Sequence, residues 1–257
     1  MSPSDTIQGA TFDTMTSEQH SIGRSLALHI LPGVFILVLF VASVPLVARL
    51  GLPPLFAMVT FGMAFGLGFQ VWHLFAEGRK RNSRGSLEGI VLYRRPMPVW
   101  QYFALVPLFV ILGFLIDGVT SPLKSAILNY LPWLPQWFEM RDVSLLAAYS
   151  RTALVITFAC SLLFNGIAAP IVEELYFRGY LMPRLSRFGR WTPIIETALF
   201  TIYHFWQPYY WITQFLFMLP IVYSVSWKRN VKLGIAVHMA LNLLGGLLTA
   251  AAVLGKM

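Results

Sequence analysis

Between Thr152 and Val172 the chain carries no charged side chain, and then Glu173, Glu174 and Arg178 arrive within six residues. An uncharged stretch of about 20 residues is the length that crosses the hydrocarbon core of a bilayer as a helix. Ionisable groups at or near that depth cost roughly 2.5 kcal/mol or more each. They are therefore expected to be paired, to face a protein interior or a water-filled cavity, and to carry a function. Helical spacing separates the two glutamates. Glu174 and Arg178 are four residues apart, on one face and in the favoured acid-before-base order for an ion pair. Glu173 points about 100° away and has no charge partner at helical spacing. One carboxylate is committed to structure and the other is free for chemistry. The plainer alternative makes both the cytoplasmic edge of a span, held by Arg178 and water.

The rest of the chain fixes the class. Of 257 residues, 57% are hydrophobic and only 12% charged, about half the charge density of a soluble domain. The expected fold is an all-α, polytopic transmembrane helix bundle. The net charge of +8 reads as topology, because Lys and Arg gather in cytoplasmic loops. No basic patch interleaved with stacking aromatics implies a nucleic-acid partner. Cys160 is the single cysteine, which rules out an intrachain disulfide or a cysteine-based metal site.

Taken in order, residues 1–24 form a polar tail. Spans are expected at Ser25–Ala48, broken by Pro32 and Pro45, and at Gly51–Ala76, where Gly62, Gly66 and Gly68 suit close helix packing. A basic loop with Arg79, Lys80, Arg81, Arg84, Arg94 and Arg95 follows, then a third span at Pro96–Ile116. Asp117–Ser150, rich in proline and tryptophan, reads as an outer interfacial segment or a lid over a substrate entrance. Thr152–Phe188 is expected as one span bent near Pro170. Two shorter spans are then expected at Pro193–Gln207 and Tyr209–Trp227, and a last helix at Leu233–Gly255. Seven spans put every basic loop and the N-terminus on the cytoplasmic side; eight is the alternative count.

Late in the chain lie polar groups able to do chemistry. His204 follows an aromatic-rich run, and His238 shares a helix face with Asn242. Each alone could be a hydrogen bond between helices. Together with the unpaired Glu173 they are the parts of a hydrolytic site. A carboxylate and a histidine can hold and deprotonate water, and a His–Asn pair can donate to the oxyanion formed when water attacks a carbonyl. The same groups could instead ligate zinc with an open position, although no HExxH helix is present.

Glu173-Glu174-x-x-x-Arg178, Phe200-x-x-x-His204 and His238-x-x-x-Asn242 together resemble the motifs of the CPBP intramembrane proteases. That family includes the CAAX prenyl protease 2 type and the bacteriocin-immunity (Abi) proteins. The resemblance covers residues 150–250 and leaves the first three spans unmatched. It implies that Glu173 activates water together with His204, that His238 and Asn242 form the oxyanion site, and that Glu174 and Arg178 support them. It further implies a glutamate-based peptidase with no required cofactor and no metal ligands, a divalent ion such as zinc being the competing expectation. The domains are then the tail (1–24), three N-terminal spans with the basic loop and interfacial segment (25–148), and a catalytic core (149–257).

The function expected is hydrolysis of a peptide bond in a membrane-associated, for instance prenylated, protein or peptide, near the cytoplasmic face of a bacterial inner membrane. A noncatalytic protein of the same fold, acting as a partner subunit or immunity factor, is the alternative. A transporter is disfavoured by the lack of an internal repeat. Bilayer and peptide substrate are the expected partners; the sequence sets no oligomeric state.

Overall fold

The computed structural model describes residues 18–255; most of the expected polar tail, residues 1–17, lies outside the described residues. These form seven long helices: α1 (Ile22–Arg49), α2 (Pro54–Asn82), α3 (Val99–Asn129), α4 (residues 151–181), α5 (Thr192–Tyr203), α6 (Trp211–Lys228) and α7 (Val231–Leu254). The only β pairing among the described residues is an isolated bridge between Arg94 and Asn230. The fold is an all-α polytopic bundle. Five helical stretches are long and apolar enough to cross a membrane: α1, α2, α3, the continuous 151–203 path that contains α4 and α5, and α7.

Local chemistry sets the helix starts. Ser21, Ser150 and Asn230 occupy N-cap positions, and their side chains accept the backbone N–H of Arg24, Ala153 and Leu233, satisfying donors that the first turn leaves free. Asn230 also donates to the Arg95 carbonyl (2.7 Å) and accepts from the Tyr102 hydroxyl (3.1 Å), which ties the basic loop to the start of α7. Gly189, at φ +55°, kinks the 3-10 stretch Met182–Trp191 just before α5.

Several expectations are corrected. The third span does not stop at Ile116: α3 continues through Asp117 and Pro122 to Asn129. Asp117 does not end it because its charge is matched by Lys124 at 2.8 Å and by the Tyr210 hydroxyl at 2.9 Å. The interfacial segment is correspondingly shorter. The single span expected at Thr152–Phe188 is present, with Pro170 inside a continuous helical path. The proline follows a π-helical stretch, Leu162–Ala168, whose wider turn accommodates the missing N–H, and the helical path runs on through a second π segment, Glu174–Leu181. The expected span at Pro193–Gln207 is only the 12-residue α5, about 18 Å long and too short to cross about 30 Å of hydrocarbon alone. His20, expected in the polar tail, is buried and its backbone N–H donates to the Arg184 carbonyl at 3.1 Å. Desolvation, then Arg24 and Arg184, push its pKa down to about 3, so it stays neutral there.

The bundle has two chemically distinct ends. At one, the loop 83–98 packs on the end of α4 and the α6–α7 turn: Leu92 N donates to the Gly179 carbonyl, Arg95 N to Arg229 and Val231 N to Tyr93. The basic residues of all three segments therefore share one end. At the other, the Tyr209 hydroxyl donates to the Phe138 carbonyl (3.1 Å), joining the α5–α6 turn to the segment after α3. Phe103, Ile111, Leu115 and Val119 of α3 are more than half exposed, the apolar surface that a span turns to lipid.

Helix contact explains two of the three glycines that the sequence sets in the middle of α2, Gly62, Gly66 and Gly68. A Cβ on Gly66 would overlap the Ile36 side chain of α1, and one on Gly62 would press on the Ile36 carbonyl, whereas Gly68 faces open space. Gly66→Ala should destabilise the bundle by about 1–3 kcal/mol. Gly68→Ala should be neutral or stabilising by up to about 1 kcal/mol; thermal unfolding in detergent distinguishes the two.

Candidate active site

The Glu173–Arg178 stretch supplies a buried ionic cluster. Arg178 has no exposed surface; its Nη1 lies 3.2 Å from Glu174 Oε1, and its Nε lies 3.4 Å from Glu196 Oε1 on α5. The guanidinium sits over the Phe200 ring at 3.9 Å, a cation–π contact that gains strength away from water. The expected Glu174–Arg178 pair is thus present, with Glu196 as a second carboxylate. Gly234 of α7 allows the approach, since a Cβ there would overlap Glu174 Oε2.

His238 bridges the two adjacent glutamates. Its Nδ1 is 3.1 Å from Glu174 Oε1 and its Nε2 is 4.0 Å from Glu173 Oε2. A carboxylate only accepts, so Nδ1 carries the proton toward Glu174 and Nε2 is turned to Glu173. Glu173 belongs to no Arg or Lys pair. Its Oε1 accepts from the Tyr203 hydroxyl at 3.1 Å, and that hydroxyl accepts from Gln70 Nε2 of α2 at 3.1 Å.

His204 stands at the C-cap of α5. Its Nδ1–H donates to the Phe200 carbonyl at 2.8 Å, so the Gln214 amide nitrogen, 3.0 Å from Nδ1 and 3.1 Å from Nε2, finds an acceptor only in the Nε2 lone pair. Phe200, Tyr203 and Trp206 rings flank the imidazole. Glu173 is hydrogen-bonded to Tyr203 rather than to His204. Asn242 donates one N–H to the Asn165 carbonyl of α4's π stretch at 2.8 Å, which leaves its second N–H for another acceptor.

Glu173, His204, His238 and Asn242 all line one cavity of about 860 Å³, a volume in the range that takes a sizeable ligand. Glu174 and Arg178 lie behind that wall. Among the described residues no group of three His, Cys, Asp or Glu side chains is arranged to hold a metal ion. Sequence reasoning missed Glu196, Tyr203, Gln70, Gln214 and Asn165. Glu196 had a signal, being a carboxylate in an otherwise uncharged apolar run. His29 and His73 serve packing: the first donates to its own helix at Ser25 (2.7 Å), and the second meets the Tyr180 hydroxyl (3.1 Å).

Removing one partner from a buried charge cluster leaves the others unpaired. Arg178→Ala should cost about 3–5 kcal/mol of stability, read as a large fall in thermal unfolding temperature or as loss of the protein from the membrane fraction. Glu196→Gln, which keeps one acceptor on the guanidinium, should cost clearly less.

A protein-family model described as type II CAAX prenyl endopeptidase Rce1-like matches residues 155–244. No curated protein and no solved structure matches the chain. The matched segment contains Glu173, Glu174, Arg178, His204, His238 and Asn242, the residues that carry the CPBP motifs. Residues 155–244, about a third of the chain, are thus similar to the Rce1-like type II CAAX prenyl endopeptidases, a protease family, and the chain is an integral membrane protein.

Proposed function

We propose that this chain is an intramembrane endopeptidase in which Glu173 is the general base. The observation that carries the reading is the state of that carboxylate. It is buried, free of any Arg or Lys pair, and exposed only to a cavity that His204, His238 and Asn242 also line. Glu174 lies beside it in sequence but is consumed by Arg178 and His238.

The residues divide the reaction as follows. Water held between Glu173 and the Nε2 lone pair of His204 gives its proton to the Glu173 carboxylate as its oxygen adds to the scissile carbonyl. Gln214 has to release His204 Nε2 for this, an exchange of one hydrogen bond for another. The carbonyl oxygen becomes an oxyanion that accepts from the second N–H of Asn242 and from His238 when Nε2 is protonated. Glu174 fixes the His238 ring through Nδ1, the orienting partner such a histidine needs. Glu173 then returns the proton to the leaving nitrogen as the C–N bond breaks, giving an acid and an amine. No metal takes part in any of these steps.

The substrate is a membrane-associated peptide or protein, prenylated chains among the possibilities that the family supplies. By the positive-inside rule the basic end is cytoplasmic, and the N-terminus with it; a bacterial inner membrane is the setting proposed.

The test is turnover of a mixture of lipid-anchored, quenched-fluorescent peptides by the purified chain in lipid vesicles. Glu173→Gln should lower kcat by about 10²–10⁴-fold with unchanged thermal unfolding; cleavage by this variant at the wild-type rate would remove Glu173 as the base, and absence of cleavage by the folded wild-type chain would sink the peptidase reading in favour of a noncatalytic partner or immunity role. Tyr203 acts by positioning. Tyr203→Phe should lower kcat about fivefold and leave KM within about twofold, since the lost hydrogen bond, worth about 1 kcal/mol, aims Glu173 and touches no substrate.

A further inference from the structure

The cavity reaches the site from one side only. From Glu173 and His238 its walls follow α3 outward through Asp117 and Lys124 to Leu128, and they end at the loop residues Glu139–Ser144. No lining residue comes from the basic loop 83–98, from residues 182–191 or from the α6–α7 turn. In that direction the site is closed. Tyr176, Phe177, Arg178, Tyr180, Leu181 and Met182 each have 0% exposure, and the ionic cluster of Arg178 lies among them. A polypeptide coming from the basic end would have to displace a paired, desolvated guanidinium, which costs several kcal/mol.

Charge gives the two ends their sides. The closed end carries the dense Lys and Arg clusters that retain loops in the cytoplasm. The mouth carries few charges and both signs, with the Asp117–Lys124 pair at 2.8 Å and Glu139 and Arg141 on the lining. A mixed polar rim above a deep passage suits a hydrated polypeptide segment entering from water.

We propose that the site takes its substrate from the extracytoplasmic side: a peptide segment exposed at, or emerging from, the non-cytoplasmic face of the membrane. The chemistry rests on the peptidase reading; the side of approach does not. A soluble cytoplasmic protein tail has no route to Glu173 in this arrangement.

Cysteine accessibility tests the route in the full chain. In a Cys160→Ala background, Ser125→Cys marks the mouth, Gly245→Cys the inner wall within one turn of Asn242, where an added side chain meets open space, and Ser83→Cys the basic loop. Intact spheroplasts of a bacterial host are treated with a small membrane-impermeant thiol reagent, and remaining thiols are counted after lysis. Expected is at least a tenfold loss of free thiol at Ser125→Cys and Gly245→Cys in intact spheroplasts, with Ser83→Cys reacting only after permeabilisation. Protection of Gly245→Cys until permeabilisation, or reaction of Ser83→Cys in intact spheroplasts, overturns the proposal. Labelling needs no turnover, so a chain that fails to cleave peptides still reports its mouth. Absence of cleavage by the wild-type chain removes the peptidase reading without touching the labelling result.

Discussion

A guanidinium with no exposed surface has to be matched inside the protein, and at Arg178 the match draws in more than its own helix. Glu174 comes from the same helix, Glu196 from α5, and the Phe200 ring covers the cation's face. His238 of α7 then shares the Glu174 oxygen that Arg178 uses. Four helical positions are fixed by one charge. Burying an ion pair is poor value as stabilisation, since desolvation consumes most of the attraction, but it is specific. Any other packing of α4, α5 and α7 would strand at least one of these groups.

That arrangement is what frees Glu173. Two adjacent carboxylates in one helix would share any cation within reach, and both would be lost to chemistry. Here Arg178 binds on the Glu174 side, Gly234 lets α7 close upon that side, and Glu173 is left with a tyrosine hydroxyl and an imidazole. The contrast between neighbours comes from where partners stand around the helix, because both carboxylates are equally buried. The π-helical segments on either side of Ala169–Glu173 shift the phase of side chains around it, and such bulges recur where a helix has to present functional groups.

The Glu174–Arg178 pair was legible in the sequence because it is local, set by a four-residue spacing. So was the common face of His238 and Asn242, which depends on nothing outside α7. Partners that come from other helices were hidden: Tyr203 for Glu173, Gln214 for His204 and Asn165 for Asn242 have no spacing relation to what they hold. The end of α3 was misread for a related reason. Asp117 looks like a terminus when its charge is considered alone, and it becomes an interior residue once Lys124 and Tyr210 neutralise it. The shortness of α5 was likewise invisible, because Phe205 and Trp206 continue the apolar run while the backbone turns at His204 to present its imidazole.

One hydrogen bond carries a consequence for ancestry and engineering. The hydroxyl that orients Glu173 is held by Gln70, and the backbone of Tyr203 rests against Gly33 of α1. Both α1 and α2 lie wholly outside the segment 155–244 that the family model matches. The recognisable core is therefore not a transplantable module. A chimera that keeps residues 155–244 but takes its first helices from a distant relative would inherit every motif residue and still lack the amide donor and the close backbone seat behind them. Diversification of the N-terminal helices is constrained at these two places, however freely the lipid-facing surface drifts.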